Sequence, residues 1–400
     1  MGDNLRKKAL KLHKENQGKI ALKTKVSVDK PENLVLAYTP GVAEPCLEIH
    51  KDEYKVYDYT SKGNWVAIVT NGTAVLGLGD IGPKASLPVM EGKAALFKEF
   101  AGVDAFPICL NTKDVDEFVN TVKLIETSFG GINLEDIKAP ECMEIEEKLK
   151  GVCNIPIFHD DQHGTAVVVA AALINSLKVV GKNFDNIKVV INGAGAAGIA
   201  TAKLLLELKV ADIILCDSQG VLYEGRSTGM NRYKEEIAGL TNRDNLKGTL
   251  KDAIINADVF IGVSVANCLT FDMVKSMNKD PIIMALANPI PEILPEEAKK
   301  AGAKLVCTGR SDYPNQVNNV LAFPGIFKGA LDVRAKEINE EMKIAAAYAI
   351  AQIIDEGELK EDYVIPNVFD KRVAEEVALA VARAAVETGV AHKDYKEGVK

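Results

Sequence analysis

Val189-Val190-Ile191-Asn192-Gly193-Ala194-Gly195-Ala196-Ala197-Gly198 is the stretch that decides the fold. Three β-branched apolar residues in a row mark a buried strand. Gly193, Gly195 and Gly198 follow at GxGxxG spacing, just before a helical pattern. The glycines serve three physical ends, namely a tight turn, close backbone approach to a pyrophosphate, and close helix–strand packing. Ala196 and Ala197 complete the loop, whose N–H groups open a helix at its positive end. Asp217 ends the next apolar run, about 20 residues beyond the last glycine, where a carboxylate meets the adenosine ribose hydroxyls. A carboxylate there repels a 2′-phosphate, and Ser218-Gln219-Gly220 bring no basic group, so NAD is expected rather than NADP. A tight strand–helix turn without a ligand is the alternative.

Downstream, strand patterns at residues 212–216, 258–263, 281–287 and 304–308 alternate with helical ones at 196–209, 230–239 and 270–277. Such alternation predicts a Rossmann-like, doubly wound parallel sheet with helices on both faces. A helical C-terminal tail follows, at 326–336, 338–354 and 371–387. Upstream of Gly164 the pattern differs. Strands are expected at 65–70, 74–78, 103–110, 132–134 and 155–158, and helices at 88–100, 114–128 and 140–150, while 26–44 reads as extended and punctuated by proline. Thr165 is placed to cap a long apolar helix. The fold class is α/β, with an N-terminal α/β domain over residues 1–160 and the dinucleotide domain with its tail over 161–400.

A formal net charge of −8 argues against nucleic acid as a main partner. It also means that an anionic substrate needs local positive charge, which a bound cation would supply. The seven cysteines form no CxxC pair, which speaks against structural zinc. An odd count without a framework fits a reducing, cytoplasmic setting. No membrane partner is expected, because the longest apolar stretch, residues 166–174, is far short of the roughly 20 residues a span needs. The basic N-terminal residues 5–13 lack a secretory apolar region and are expected to form a solvated helix.

Two acidic pairs end apolar runs: Glu135-Asp136 after Ile132-Asn133-Leu134, and Asp160-Asp161 after Ile157-Phe158-His159. Clustered carboxylates suit a hard divalent cation. Successive strand side chains face opposite ways, so adjacent acids converge on one ion only where the strand has already turned. Otherwise one acid of a pair ligates and the other supports. The candidate metal set is Glu135, Asp136 and Asp161, around Mg2+ or Mn2+ with positions left open for substrate oxygens. Solvated acids at loop starts are the plain alternative. His159 and His163 have a zinc-like spacing, but acid-rich surroundings favour a supporting hydrogen-bond role for them.

Lys93 follows Gly92 within a helical pattern. A mid-helix glycine costs about 1 kcal/mol relative to alanine, which is easier to understand if something approaches closely there. A lysine near a divalent cation has a destabilised proton and could act as a base. Tyr38 precedes the turn Thr39-Pro40-Gly41. Asn288, Asn318 and Asn319 follow strand ends, where amides could hold a carboxylate or a nicotinamide, or simply make turns.

Six segments together resemble the short bacterial-type malic enzymes, in order over nearly the whole chain. They are Ala37-Tyr38-Thr39-Pro40-Gly41-Val42-Ala43, Gly77-Leu78-Gly79-Asp80-Ile81-Gly82, Glu91-Gly92-Lys93, Glu135-Asp136-Ile137, Phe158-His159-Asp160-Asp161-Gln162-His163-Gly164-Thr165 and Gly309-Arg310-Ser311-Asp312-Tyr313-Pro314. The resemblance implies an N-terminal substrate and catalytic domain with Tyr38 as general acid, Lys93 as general base and Asp160 supporting that lysine. It makes Glu135, Asp136 and Asp161 the metal ligands, Asn288 and Asn319 the substrate-side amides, and Asn288 and Asn318 neighbours of the cofactor. The implied reaction is oxidative decarboxylation of (S)-malate to pyruvate and CO2 with reduction of NAD, in a cytoplasmic homodimer with no fused acyl-transfer domain. One departure stands out: larger relatives carry an Arg just before the Leu-Gly-Leu-Gly-Asp run, where this chain has Asn71-Gly72-Thr73-Ala74-Val75. The far carboxylate then needs backbone donors near residues 79–82 or a different basic group. Two other classes compete: a metal-independent NAD dehydrogenase of another hydroxy or amino acid, and a non-catalytic nucleotide-sensing protein.

Overall fold

The structure, a computed structural model, describes residues 3–75 and 77–393. Strands β1 (Trp65–Thr70), β2 (Asp104–Cys109), β3 (Gly131–Leu134) and β4 (Ile157–His159) form a parallel sheet in the order β2-β1-β3-β4. Parallel neighbours need crossovers. Helices Pro83–Ala101, Val115–Ile125 and Glu141–Val152 provide them. The second begins where Asp114 accepts a hydrogen bond from the Glu117 N–H at 2.8 Å, the N-cap that its sequence predicts.

The second sheet has β5 (Lys188–Asn192), β6 (Asp212–Asp217), β7 (Gly220–Val221), β8 (Val259–Gly262), β9 (Ile282–Ala285) and β10 (Leu305–Thr308). Its order is β10-β9-β8-β5-β6-β7, parallel except for the antiparallel edge strand β7. From β5 the chain first steps to β6 on one side and later to β8 on the other. This is the switch point at which open α/β sheets bind ligands, and the glycine loop sits at its carboxyl end.

Four local expectations are corrected. Of the strand expected at 74–78, residue 76 lies outside the described residues, and the described ones make only a Val75–Gly79 bridge, because Gly72, Gly77 and Gly79 turn the backbone with positive φ. Residues 26–44 are not all extended: Pro31 opens the helix Pro31–Ala37, and a second helix runs Ala43–Lys51. The helix expected from residue 88 starts at Pro83. Thr165 does not cap the helix Thr165–Val180 but is its first residue, after a wide π-type turn, Asp160–Gly164.

The segment Asp160–Val180 is long and apolar enough to cross a membrane by length and hydropathy, which the sequence count of consecutive apolar residues did not anticipate. Its residues from Ala166 to Leu177 are buried inside the protein, as in a core helix. Within it, the Asn175 amide donates to the carbonyls of Ala351 (2.8 Å) and Val364 (3.1 Å), fastening the tail to it. Of the tail helices Phe323–Asp332, Glu340–Gln352 and Arg372–Glu387, the first and third reach back to Pro83–Ala101, while the second packs on Thr165–Val180. Phe323 and Phe327 meet Phe97 at ring-centroid distances of 4.7 and 5.4 Å, and Phe327 meets Phe158 at 5.8 Å. The tail thus completes the core of the first sheet.

Candidate active site

The site lies where the carboxyl ends of β3 and β4 meet the helix Pro83–Ala101 and the loop before Phe323–Asp332. β3 stops at Leu134, and Asp136 takes a left-handed φ of 53°. That bend lets the adjacent Glu135 and Asp136 side chains serve one point, the condition that an extended strand would violate. Oxygens of Glu135, Asp136 and Asp161 all lie within 4.8 Å of one another. Oxygens in an octahedral shell of radius 2.0–2.1 Å stand about 3 Å apart when adjacent and about 4.2 Å when opposite, so the spacing fits a hard cation. The Asp136 N–H donates to Asp161 Oδ2 at 2.8 Å, and the Asn133 amide donates to Glu135 Oε2 at 2.9 Å. Both bonds hold the donor set in place.

The second pair divides its work. Asp161 joins the oxygen cluster with a partly open side chain, whereas Asp160 is fully buried and ion-pairs with Lys93. Lys93 Nζ also lies 3.0 Å from Glu135 Oε1 and 4.0 Å from the centroid of the Phe323 ring. Burial pulls the Lys93 pKa down, but Asp160 and Glu135 outweigh it and hold the ammonium above its ordinary range. Burial pushes the carboxyls of Glu135 and Asp160 up, against the pull of Lys93. Asp160 also accepts from the Asn319 amide, so Asn319 reaches Lys93 through its acid.

The close approach expected at Gly92 is not found among the described residues: a Cβ there would meet only Lys19 Nζ, at 3.9 Å, an ordinary contact with a flexible side chain that donates to the Pro88 carbonyl at 2.6 Å. Tyr38 does not join the cluster within one chain. It ends the helix Pro31–Ala37, is 66% exposed, and its hydroxyl makes no hydrogen bond among the described residues. Asn288 is exposed, with its amide packed near Gly309. Asn318 spends its side-chain oxygen capping the turn at Val320, 3.0 Å away. Of the two histidines, His163 makes the expected supporting bonds, to Glu146 at 2.9 Å. The ring nitrogens of His159 have no hydrogen-bond partner among the described residues.

A cavity of about 570 Å³ opens at the glycine loop, lined by Gly193, Ala194, Gly195, Asp217 and Lys234. Gly193 has φ 119°, and a Cβ on Gly198 would sit 1.8 Å from the Gly193 carbonyl oxygen, so both positions require glycine. Ala196 begins the helix Ala196–Glu207, with Ala197 and Gly198 in its first turn. Asp217 reaches the cavity as expected, but it is not a bare charge. Arg226 donates to its two oxygens at 2.8 and 2.9 Å, and Lys234 donates at 2.6 Å. Reading only the three residues after Asp217 missed these cations. No local pattern marks them, since a later loop and helix carry them back.

The family model described as "Malic enzyme, N-terminal domain" matches residues 16–150, and "Malic enzyme, NAD binding domain" matches residues 162–386. The chain is 68% identical over 97% of its length to the bifunctional malic/malolactic enzyme of Bacillus subtilis, covering 95% of that protein. It is 59% identical over 94% of its length to the NAD-dependent malic enzyme of Geobacillus stearothermophilus, covering 78% of that protein. A crystal structure of malic enzyme from Pyrococcus horikoshii superposes with a TM-score of 0.95 at 50% identity, covering 98% of this chain and 93% of that one. With both domains matched in order and the lysine and carboxylates assembled, the chain belongs to the malic enzyme family.

Proposed function

We propose that the protein oxidatively decarboxylates (S)-malate to pyruvate and CO2, the reaction of its family, with NAD as acceptor and Mg2+ or Mn2+ at Glu135, Asp136 and Asp161. The observation that carries this is buried Lys93, clamped by Asp160 beside three converging carboxylates. A divalent ion there supplies Lewis acidity toward the substrate oxygens. The dinucleotide supplies the hydride acceptor. Lys93 removes the C2 hydroxyl proton, Asp160 orients Lys93, and Asn319 fixes Asp160. A carboxylate shared with a cation holds a neighbouring lysine's proton less firmly, which brings Lys93 toward its working, neutral form. The 2-oxo acid left by hydride transfer loses its C4 carboxylate as CO2, the C3–C4 bonding pair becomes the enolate, and Tyr38 donates a proton to C3.

Because Tyr38 is exposed in one chain, we propose a homodimer in which its segment covers the neighbour's site. Supporting this, the helices Pro31–Ala37 and Ala43–Lys51 bury no residue. Leu10, Leu22, Val26, Leu36 and Leu47 are all exposed on the same N-terminal segment. So many exposed apolar side chains on one segment suit an interface. NAD is proposed over NADP because Asp217 faces the cavity, although Arg226 and Lys234 balance its charge.

The deciding assay follows malate-dependent NADH formation with and without Mn2+, scoring pyruvate and CO2. Turnover that survives EDTA favours the metal-independent dehydrogenase. NADH binding without turnover favours the sensing protein. Higher kcat/KM with NADP overturns the coenzyme proposal alone.

A further inference from the structure

We infer that Glu146 and His163 are positioning residues for the metal centre: together they lock the five-residue turn that aims Asp161 at the cation and Asp160 at Lys93. This rests on Glu135, Asp136 and Asp161 being the ligands.

Two adjacent acids must point in different directions, so the turn Asp160–Gly164 that carries them has to keep one shape. Its inner side is packed tightly. A Cβ on Gly164 would lie 1.8 Å from Asp160 Oδ1. Glu146, on the helix Glu141–Val152, is 5% exposed and grips the turn at three places. It accepts from the His159 N–H at 3.3 Å, from the Gln162 amide at 3.3 Å, and from His163 Nε2 with both oxygens at 2.9 Å.

The partners fix the state of His163. An ionised carboxylate only accepts, so Nε2 carries the hydrogen. On the other side Lys343, from the helix Glu340–Gln352, lies 3.3 Å from Nδ1, and an ammonium only donates. His163 is therefore the neutral Nε2–H tautomer. Lys150, 3.0 Å from Glu146, and Glu340, paired with Lys343, complete the charge balance around the network. Two helices far apart in the sequence, Glu141–Val152 and Glu340–Gln352, thus converge on the segment that presents Asp160 and Asp161. A buried ionic network of this kind is a poor source of stability compared with apolar packing. Its value is the geometry that it imposes on the residues in front of it, as hydrogen bonds behind metal ligands generally do.

The test is calorimetric titration of Mn2+ into the metal-free full-length protein, with NADH binding and circular dichroism as checks on the fold. Glu146→Gln sets an amide N–H against existing donors, and His163→Leu removes the bridge. Each is expected to weaken Mn2+ binding by about 10–100-fold with NADH binding unchanged. His163→Gln, which can both donate and accept, should restore most of the loss. The double variant Glu146→Gln/His163→Leu should be no worse than the weaker single one, since both act through one turn. A folded Glu146→Gln protein that binds Mn2+ as the wild type does overturns the proposal. Should that variant not fold, Lys343→Met decides: several-fold weaker Mn2+ binding supports the lock, and unchanged binding refutes it. Asp161→Asn separates the two levels. If it leaves Mn2+ binding intact, the ligand assignment fails and this inference falls with it.

Discussion

Lys93 sits between two carboxylates and the face of an aromatic ring, and each neighbour bears on its proton. Asp160 and Glu135 stabilise the ammonium, against the cost of burial. With Lys93 as the proposed base, Lys93→Ala should lower kcat by about 100-fold or more, measured at saturating malate and Mn2+. Asp160→Asn acts through charge. A negative neighbour raises the pKa of an amine, so its loss lowers that of Lys93 and the neutral base appears at lower pH. The acid limb of the kcat/KM–pH profile should move to lower pH while the maximum rate falls through poorer orientation. An unmoved limb would detach Asp160 from the lysine's titration. The acids stood out as candidates in the sequence through their type and their places at strand ends, and Lys93 through the mid-helix glycine before it. Glu146, Lys343, Arg226 and Lys234 did not, since each acts on a partner that only the folded chain brings near.

The glycine loop shows at the level of elements why the second domain reads so plainly. Its strand is a run of β-branched residues, and its turn tolerates no side chain where Gly193 and Gly198 stand, so the pattern and the geometry state the same constraint twice. Gly198→Ala should weaken NADH binding at least about tenfold, roughly 1.4 kcal/mol, in a fluorescence titration, with Mn2+ affinity retained. Residues 74–78 mislead for the opposite reason. Their apolar letters suggest a strand, but Gly72 has no room for a Cβ, which would lie 2.4 Å from the Gly82 oxygen, and the chain folds back instead. Likewise Thr165 looks like a cap, because a wide turn preceding a helix has no sequence period to betray it. Short elements whose shape is set by close backbone contacts escape pattern reading, while long periodic ones do not.

On the scale of the whole molecule, the tail and the N-terminal segment are the parts with the longest reach. Phe327 is fully buried against Phe97 and Phe158. Phe327→Ala should cost about 3–5 kcal/mol in denaturant unfolding, the usual range for emptying such a site. If the N-terminal segment serves a neighbour, then subunits of Tyr38→Phe and Lys93→Ala, each poorly active alone, should regain activity when dissociated and reassociated together. Mixtures that stay inactive would place Tyr38 over its own chain's site. That the chain builds two separate sheets was readable from the change in pattern at Gly164. That the tail crosses back was not, because an apolar helix face does not say which sheet it will meet.

Phe323 and Phe327 close over Phe97 only after more than two hundred further residues have been made. A ribosome producing this protein therefore exposes an unfinished apolar wall throughout that stretch, and the pocket around Lys93 cannot seal until those aromatic rings emerge. Closure of that pocket thus waits on a piece of polypeptide made long after its lysine.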